Sequence, residues 1–186
     1  MILNDKIVIG ITGTIGAGKD VVAEYISKKL NVPALQISQP LKDIARELGI
    51  KITRENLVEL GTKITKERGN DYLAVVLLER APSIAVFSGM RELAQLQYLR
   101  DHARLILIAV DAAAEVRFAR AQKRGKIGEA GSLEDFVRHE QEENSPPHTQ
   151  RLFECMKLAQ YHIDNENTLE NLYNEVDDIL KKENLI

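Results

Sequence analysis

Only one cysteine, Cys155, stands in this chain, so no internal disulfide can brace it. With no signal-like stretch at the start, that favours a reducing, cytoplasmic setting. Tryptophan is absent and aromatic residues make up 5% of the chain, which leaves few rings for stacking on bases. The longest apolar runs fall far short of a membrane span. No charge of one sign dominates: the formal net charge is -3, which gives no electrostatic ground for nucleic-acid binding. Any anionic ligand must therefore be held by locally placed basic groups. The four histidines, 102, 139, 148 and 162, show no metal-ligand spacing with one another or with Cys155, so no zinc site is expected.

The chain does have enough length, 186 residues, for one domain with a sizeable core. Its opening is the most informative stretch. The run "KIVIGIT" (6–12) is short, apolar and β-branched, and "KDVVAEYISKKL" (19–30) puts Val22, Ile26 and Leu30 on one helical stripe. Between them lies "GTIGAGKD" (13–20), with the spacing of a phosphate-binding loop. Strand, glycine loop, helix is the context that motif requires. Gly13, Gly16 and Gly18 let the backbone turn its N–H groups inward as an anion nest, and the next helix adds its dipole. Lys19 would follow the outer phosphates through transfer.

The last letter departs from the pattern. A hydroxyl normally follows the lysine and sits on the nucleotide's Mg²⁺; here the residue is Asp20. The acid usually found at the end of a neighbouring strand is also missing, since "IAVFSG" ends in Ser88 and Gly89. An exchange of roles is expected, with Asp20 supplying the charge and Ser88 an oxygen or water contact to the metal.

Farther along, strand signals at 34–38, 83–89, 104–110 and 160–164 alternate with helical ones, closing with a helix over 168–182. That alternation predicts a parallel sheet covered by helices on both faces. Arg117, Arg120 and Arg124 follow spacings of three and four, so they are expected on one helix face running into a glycine-containing segment. Arg117 or Arg120 is a candidate to lie flat on adenine. Arg91 follows a strand's C-terminal end, the edge where open α/β sheets bind ligands. Ser38, Lys42, Arg68 and Asp71 are candidates for the acceptor pocket, with Asp71 or Asp43 as an acidic helper.

The stretches "GITGTIGAGKD" and "AQYHIDNENTLENLYNEVDDIL" resemble dephospho-coenzyme A kinases and their small archaeal relatives. The middle, with "SQPLKDIARELG", "ELGTKITKERGNDY" and "FSGMRE", is similar to phage-type deoxynucleoside monophosphate kinases. Both belong to the P-loop kinases shaped like adenylate kinase. The resemblance implies a three-layer α/β/α P-loop NTPase fold: a five-stranded parallel sheet with a small lid, all in one domain over 1–186. It implies ATP and Mg²⁺ as cofactors, an acceptor region at about 38–80 and a lid at about 124–147.

Carried over by residue, Gly13, Thr14, Ile15, Gly16, Ala17, Gly18, Lys19, Asp20 and Val21 would hold the nucleotide, with Arg117 beside it and Asn165 bordering adenine. Lys19, Arg91, Arg120 and Arg124 would surround the transferring phosphoryl group. Ser38 stands where the dephospho-coenzyme A kinases show an acidic pair, which tilts the expected acceptor toward a nucleoside monophosphate. A nucleotide-sensing regulatory protein is the alternative of another class. The expected partner is a small phosphate acceptor, not a nucleic acid or a membrane.

Overall fold

The computed structural model describes residues 6–125, 131–145 and 151–186. The chain begins with β1 (Ile7–Gly13), α1 (Lys19–Leu30), β2 (Ala34–Gln36), α2 (Gln39–Glu47), α3 (Arg54–Arg68) and α4 (Tyr72–Arg80). It continues with β3 (Ile84–Ser88), α5 (Leu93–His102), β4 (Arg104–Asp111), α6 (Ala114–Lys123) and α7 (Leu133–Glu143). The last elements are α8 (Leu152–Lys157), β5 (Tyr161–Asp164) and α9 (Leu169–Lys182).

The strands form one parallel sheet in the order β2-β3-β1-β4-β5. Because both faces are covered, the central strands are apolar at successive positions rather than at alternate ones. In β1, Val8 packs with Phe87, Leu105 and Leu107 against Leu77 of α4, Leu96 and Leu99 of α5, and Cys155 of α8. Its neighbour Ile9 points the other way, and with Ile11, Ile106, Ile108 and Val110 it meets Val22 and Ile26 of α1 and Val176 of α9. The expected α/β architecture with a five-stranded parallel sheet is therefore present.

Boundaries follow local chemistry. Thr53, Ser132 and Thr168 each accept a hydrogen bond from a backbone N–H three residues on, and α3, α7 and α9 start there. The expected strand at 34–38 is shorter than its pattern. Its ladder continues with Ile37 N–H donating to the Ser88 carbonyl, after which Ser38 turns into α2, whose second residue is Pro40. The helix expected over 149–159 is confined to Leu152–Lys157, and 149–150 lie outside the described residues.

A smaller apolar cluster stands beside the sheet. Leu41 and Ala45 of α2 pack on Leu60 and Ile64 of α3, with Tyr72 and Leu73 of α4 at the margin. Residues 38–80, the expected acceptor side, thus have a core of their own. Among the described residues no helix is long and apolar enough to cross a membrane.

Cys155 has no exposed surface, and burial pushes its thiol up to about 12. Thiol reagents at pH 8 should therefore label the native protein only at the rate of unfolding, and fully in denaturant. Rapid stoichiometric labelling of the native chain would contradict this packing.

Candidate active site

β1 lies between β3 and β4, and the chain's path through the sheet reverses about it: β2 and β3 lie on one side, β4 and β5 on the other. Crevices for ligands form at the carboxyl ends of strands at such a reversal. The loop of residues 14–18 leaves β1 at this point and runs straight into α1.

One half of the loop has its polar groups taken up by the protein. Thr14 Oγ1 donates to Asp111 Oδ1 at the end of β4, at 2.5 Å, and the same oxygen accepts from Ala112 N–H. Ile15 uses both peptide groups: its N–H donates to Glu140 and its carbonyl accepts from Arg117. Ala17 carbonyl accepts from Asn165 Nδ2 at 2.8 Å. The other half is open, since the N–H groups of Gly16, Gly18 and Asp20 make no hydrogen bond to another described residue. Inward N–H groups at the foot of a helix make a site for an anion.

Gly16 shows why the loop needs its spacing. Its φ is +82°, and a Cβ there would stand 2.6 Å from the Arg117 carbonyl oxygen. No side chain fits.

Lys19 begins α1, half-buried, and Asp20 next to it is exposed in the first turn. Val21 continues the helix and its N–H donates to the Gly18 carbonyl. Ser88 ends β3 with little exposure, paired in register with Ile11 of β1. Both expected metal contacts are thus at the strand-end edge, one exposed and one buried. Among the described residues no three His, Cys, Asp or Glu side chains gather as a metal site.

The basic residues are sorted differently from the expected stripe. Arg117 does not lie on a shared exposed face with Arg120 and Arg124, and it is not presented to a base. It is 6% exposed, its Nε donates to the Ala112 carbonyl, its Nη1 pairs with Glu140 at 2.8 Å, and Phe136 covers it at 5.6 Å. The reason is packing: α7 lies on α6, and Phe118, Ala121 and Phe136 form a small core with Ile15 that draws Arg117 inward. Arg120 is half-buried, and its Nη1 is fully buried with no hydrogen-bond partner among the described residues. Arg124 ends α6, exposed, next to 126–130; those residues and 146–147 of the expected lid lie outside the described residues.

On the acceptor side, Arg91 sits in the turn between β3 and α5. Thr12 Oγ1 donates to the Met90 carbonyl and Gly89 N–H to the Ile11 carbonyl, which fixes that turn against β1. Ser38 leads into α2, and Lys42 one turn on donates to Gln36 at the end of β2. Arg68 is exposed and bound to the Tyr72 hydroxyl, while Asp71 starts α4. Asp43 is engaged by other side chains. Gln39, Arg46 and Arg80 all donate to it, and its carboxyl is held below the usual range, first by the Gln39 hydrogen bond. Asn165 is buried, and its amide nitrogen donates to the loop at the Ala17 carbonyl.

Besides Glu140, two residues were missed from the sequence. Asp111 is the strand-end acid at this edge, supplied by β4 and not by β3. Gln95 of α5, one helical turn after Arg91, is 4% exposed with an Oε1 that has no partner among the described residues. A glutamine four residues after a strand-end arginine on an apolar helix face was the available signal.

A family model described as an AAA domain matches residues 9–143. A UPF0200 protein of Methanocaldococcus jannaschii is 31% identical over 182 residues, covering 95% of this chain and 90% of that one. The chain belongs to the UPF0200 family. A second UPF0200 protein, from Staphylothermus marinus, is 30% identical over 94% of the chain and 92% of its own length. Among solved structures, the shikimate kinase from Acinetobacter baumannii in complex with shikimate aligns at TM-score 0.61 and 16% identity. That alignment covers 96% of this chain and 95% of the other. A gluconokinase from Sinorhizobium meliloti aligns at TM-score 0.56 and 18% identity, over 98% and 97% of the two chains. This UPF0200 protein therefore has the α/β fold of the P-loop kinases.

The loop geometry predicts a graded cost of adding a methyl group. Gly125 has φ +63° and nothing within 4 Å of a Cβ, so Gly125→Ala carries only the left-handed backbone penalty. That penalty is about 1–2 kcal/mol. Gly16→Ala adds the clash with the Arg117 carbonyl and should lose clearly more in urea unfolding. Equal losses would show that the loop can shift to accommodate a side chain.

Proposed function

We propose that this UPF0200 protein is an ATP-dependent kinase whose acceptor is a nucleoside monophosphate-like molecule. Dephospho-coenzyme A is the alternative acceptor. In this reading the whole chain works as one kinase domain, with 38–80 on the acceptor side and the 124–147 segment as its lid, in a reducing cytoplasmic setting. The observation that carries the proposal is the half-committed loop. Its outer half is fixed by β4, α6, α7 and Asn165 just past β5, and its inner N–H groups stand at the foot of α1, where Lys19 would join them in holding phosphates. The two kinase neighbours act on small molecules, which supports the acceptor class and not its identity.

Phosphoryl transfer needs positioning and charge stabilisation more than a strong base. An acceptor oxygen attacks the γ-phosphorus, the bond to the β–γ bridging oxygen breaks, and ADP leaves with that electron pair. Lys19 and the loop N–H groups hold the phosphates in line. Arg120, whose Nη1 is buried with no partner among the described residues, would take up charge on the transferring group. Arg91 would face the acceptor phosphate from its braced turn. The lid would keep water from the γ-phosphate, so that transfer replaces hydrolysis.

The donor set suits Mg²⁺, which takes few protein oxygens and completes its shell with phosphates and water. Asp20 and Ser88 would hold it, and when bound it neutralises charge across the phosphates. Gln95 Oε1, buried with no partner among the described residues, would accept a hydrogen bond from an N–H or O–H of the acceptor.

ADP release with ATP and Mg²⁺ should be stimulated by one nucleoside monophosphate in a screen that includes dephospho-coenzyme A. ATP binding without stimulation by any acceptor would favour the sensing protein. With the acceptor found, Gln95→Leu should raise its KM about ten-fold, the scale of one lost buried hydrogen bond, with kcat little changed. Asp20→Ala should raise the Mg²⁺ concentration needed for half-maximal turnover; an unchanged requirement would remove Asp20 from the metal site.

A further inference from the structure

Arg117 and Glu140 are an ion pair with almost no exposure, 6% and 5%, joined at 2.8 Å. Neither has a place in phosphoryl transfer as proposed above, because neither reaches the open half of the loop. What they do share is Ile15. Its carbonyl accepts from Arg117 Nη1 at 3.3 Å and its N–H donates to Glu140 Oε1 at 3.4 Å. The pair therefore holds both peptide groups of one loop residue, as a neighbouring β-strand would.

The clamp is anchored at both ends. On one side Arg117 Nε donates to the Ala112 carbonyl and stands 3.6 Å from Asp111 Oδ1, the acceptor of the Thr14 hydroxyl. On the other, the Glu140 carbonyl accepts from Asn144 Nδ2, and Asn144 Oδ1 accepts from Leu152 N–H. Arg151 N–H, one residue before, donates to the Arg91 carbonyl. A continuous set of hydrogen bonds thus joins Ile15 to the backbone of Arg91 through α7.

We infer that Arg117 and Glu140 are positioning residues: the buried pair sets the loop's shape and ties α7 to it, so that loading the loop and placing α7 are one event. The physical reason for a polar pair is that the Ile15 peptide offers both a donor and an acceptor, which Glu140 and Arg117 meet. Two apolar side chains could fill the same volume, but they could not hold the Ile15 peptide. Replacing a buried pair by apolar residues often leaves stability intact, whereas removing one partner strands a buried charge. That contrast separates positioning from mere support.

The inference rests on the kinase reading only where nucleotide is used, and the test keeps the two apart. Wild type, Glu140→Gln and the double variant Arg117→Met/Glu140→Leu are compared by thermal midpoint and by hydrogen exchange without nucleotide. Exchange is followed in peptides covering 12–20 and, as a control, 104–110. ADP affinity is then measured by calorimetry with Mg²⁺. In the double variant the 12–20 peptide should exchange faster and 104–110 should not, with ADP binding about ten-fold weaker, as for other supporting contacts behind a binding group. Glu140→Gln, which keeps an acceptor for Ile15 but strands the Arg117 charge, should fall between in exchange at 12–20 while lowering the thermal midpoint most. Unchanged exchange at 12–20, or an equal rise in both peptides, overturns the clamp. A wild type that binds no ADP refutes the kinase reading, and the exchange data still decide the clamp.

Discussion

The constraint on which the site depends is the position of β1 between β3 and β4. A loop leaving the end of that strand is within reach of groups from both sides of the sheet, and the structure uses both. Asp111 and Asn165 come from β4 and from just past β5, Arg117 and Glu140 from the helices beyond β4, and Thr12 ties the Arg91 turn to β1 itself. Each hydrogen bond contributes only about 1 kcal/mol net, but a buried group left without its partner costs more, about 1–3 kcal/mol. The loop is therefore not a flexible glycine strip that a ligand organises. Its outer half is set by the surrounding fold, which keeps the inner half available.

Much of this could be read from the chain. The strand, glycine loop and helix at the start are encoded by neighbours, as is the alternation that yields a parallel sheet. What could not be read were partners brought in by the fold. Arg117, Arg120 and Arg124 do follow helical spacing, but spacing says nothing about which end of a stripe another helix will cover. Glu140 decides that, and it belongs to α7, a separate helix that no spacing within α6 reveals. Asp111 gave no motif signal, because attention falls on the strand preceding α5, where the usual acid is absent. Asp43 was half legible: Gln39 and Arg46 lie one turn away on its own helix, whereas Arg80 arrives from α4.

The charge distribution also takes a different meaning in three dimensions. In a chain of formal net charge -3, several arginines are engaged with acids. Arg117 pairs with Glu140, Arg46 and Arg80 share Asp43, and Arg104 pairs with Glu183. In the kinase reading, attraction for phosphate would then draw on backbone N–H groups and a helix end as well as on side chains. Such a site is stereochemically selective, because N–H groups with fixed directions accept only an anion of the right shape.

The small cluster of α2, α3 and α4 has a consequence for descent. Leu41, Ala45, Leu60 and Ile64 bury one another and not the sheet, so substitutions on the outer faces of these helices leave the central core untouched. In the kinase reading, the wall that meets an acceptor could then change in descent without disturbing the core that carries the loop.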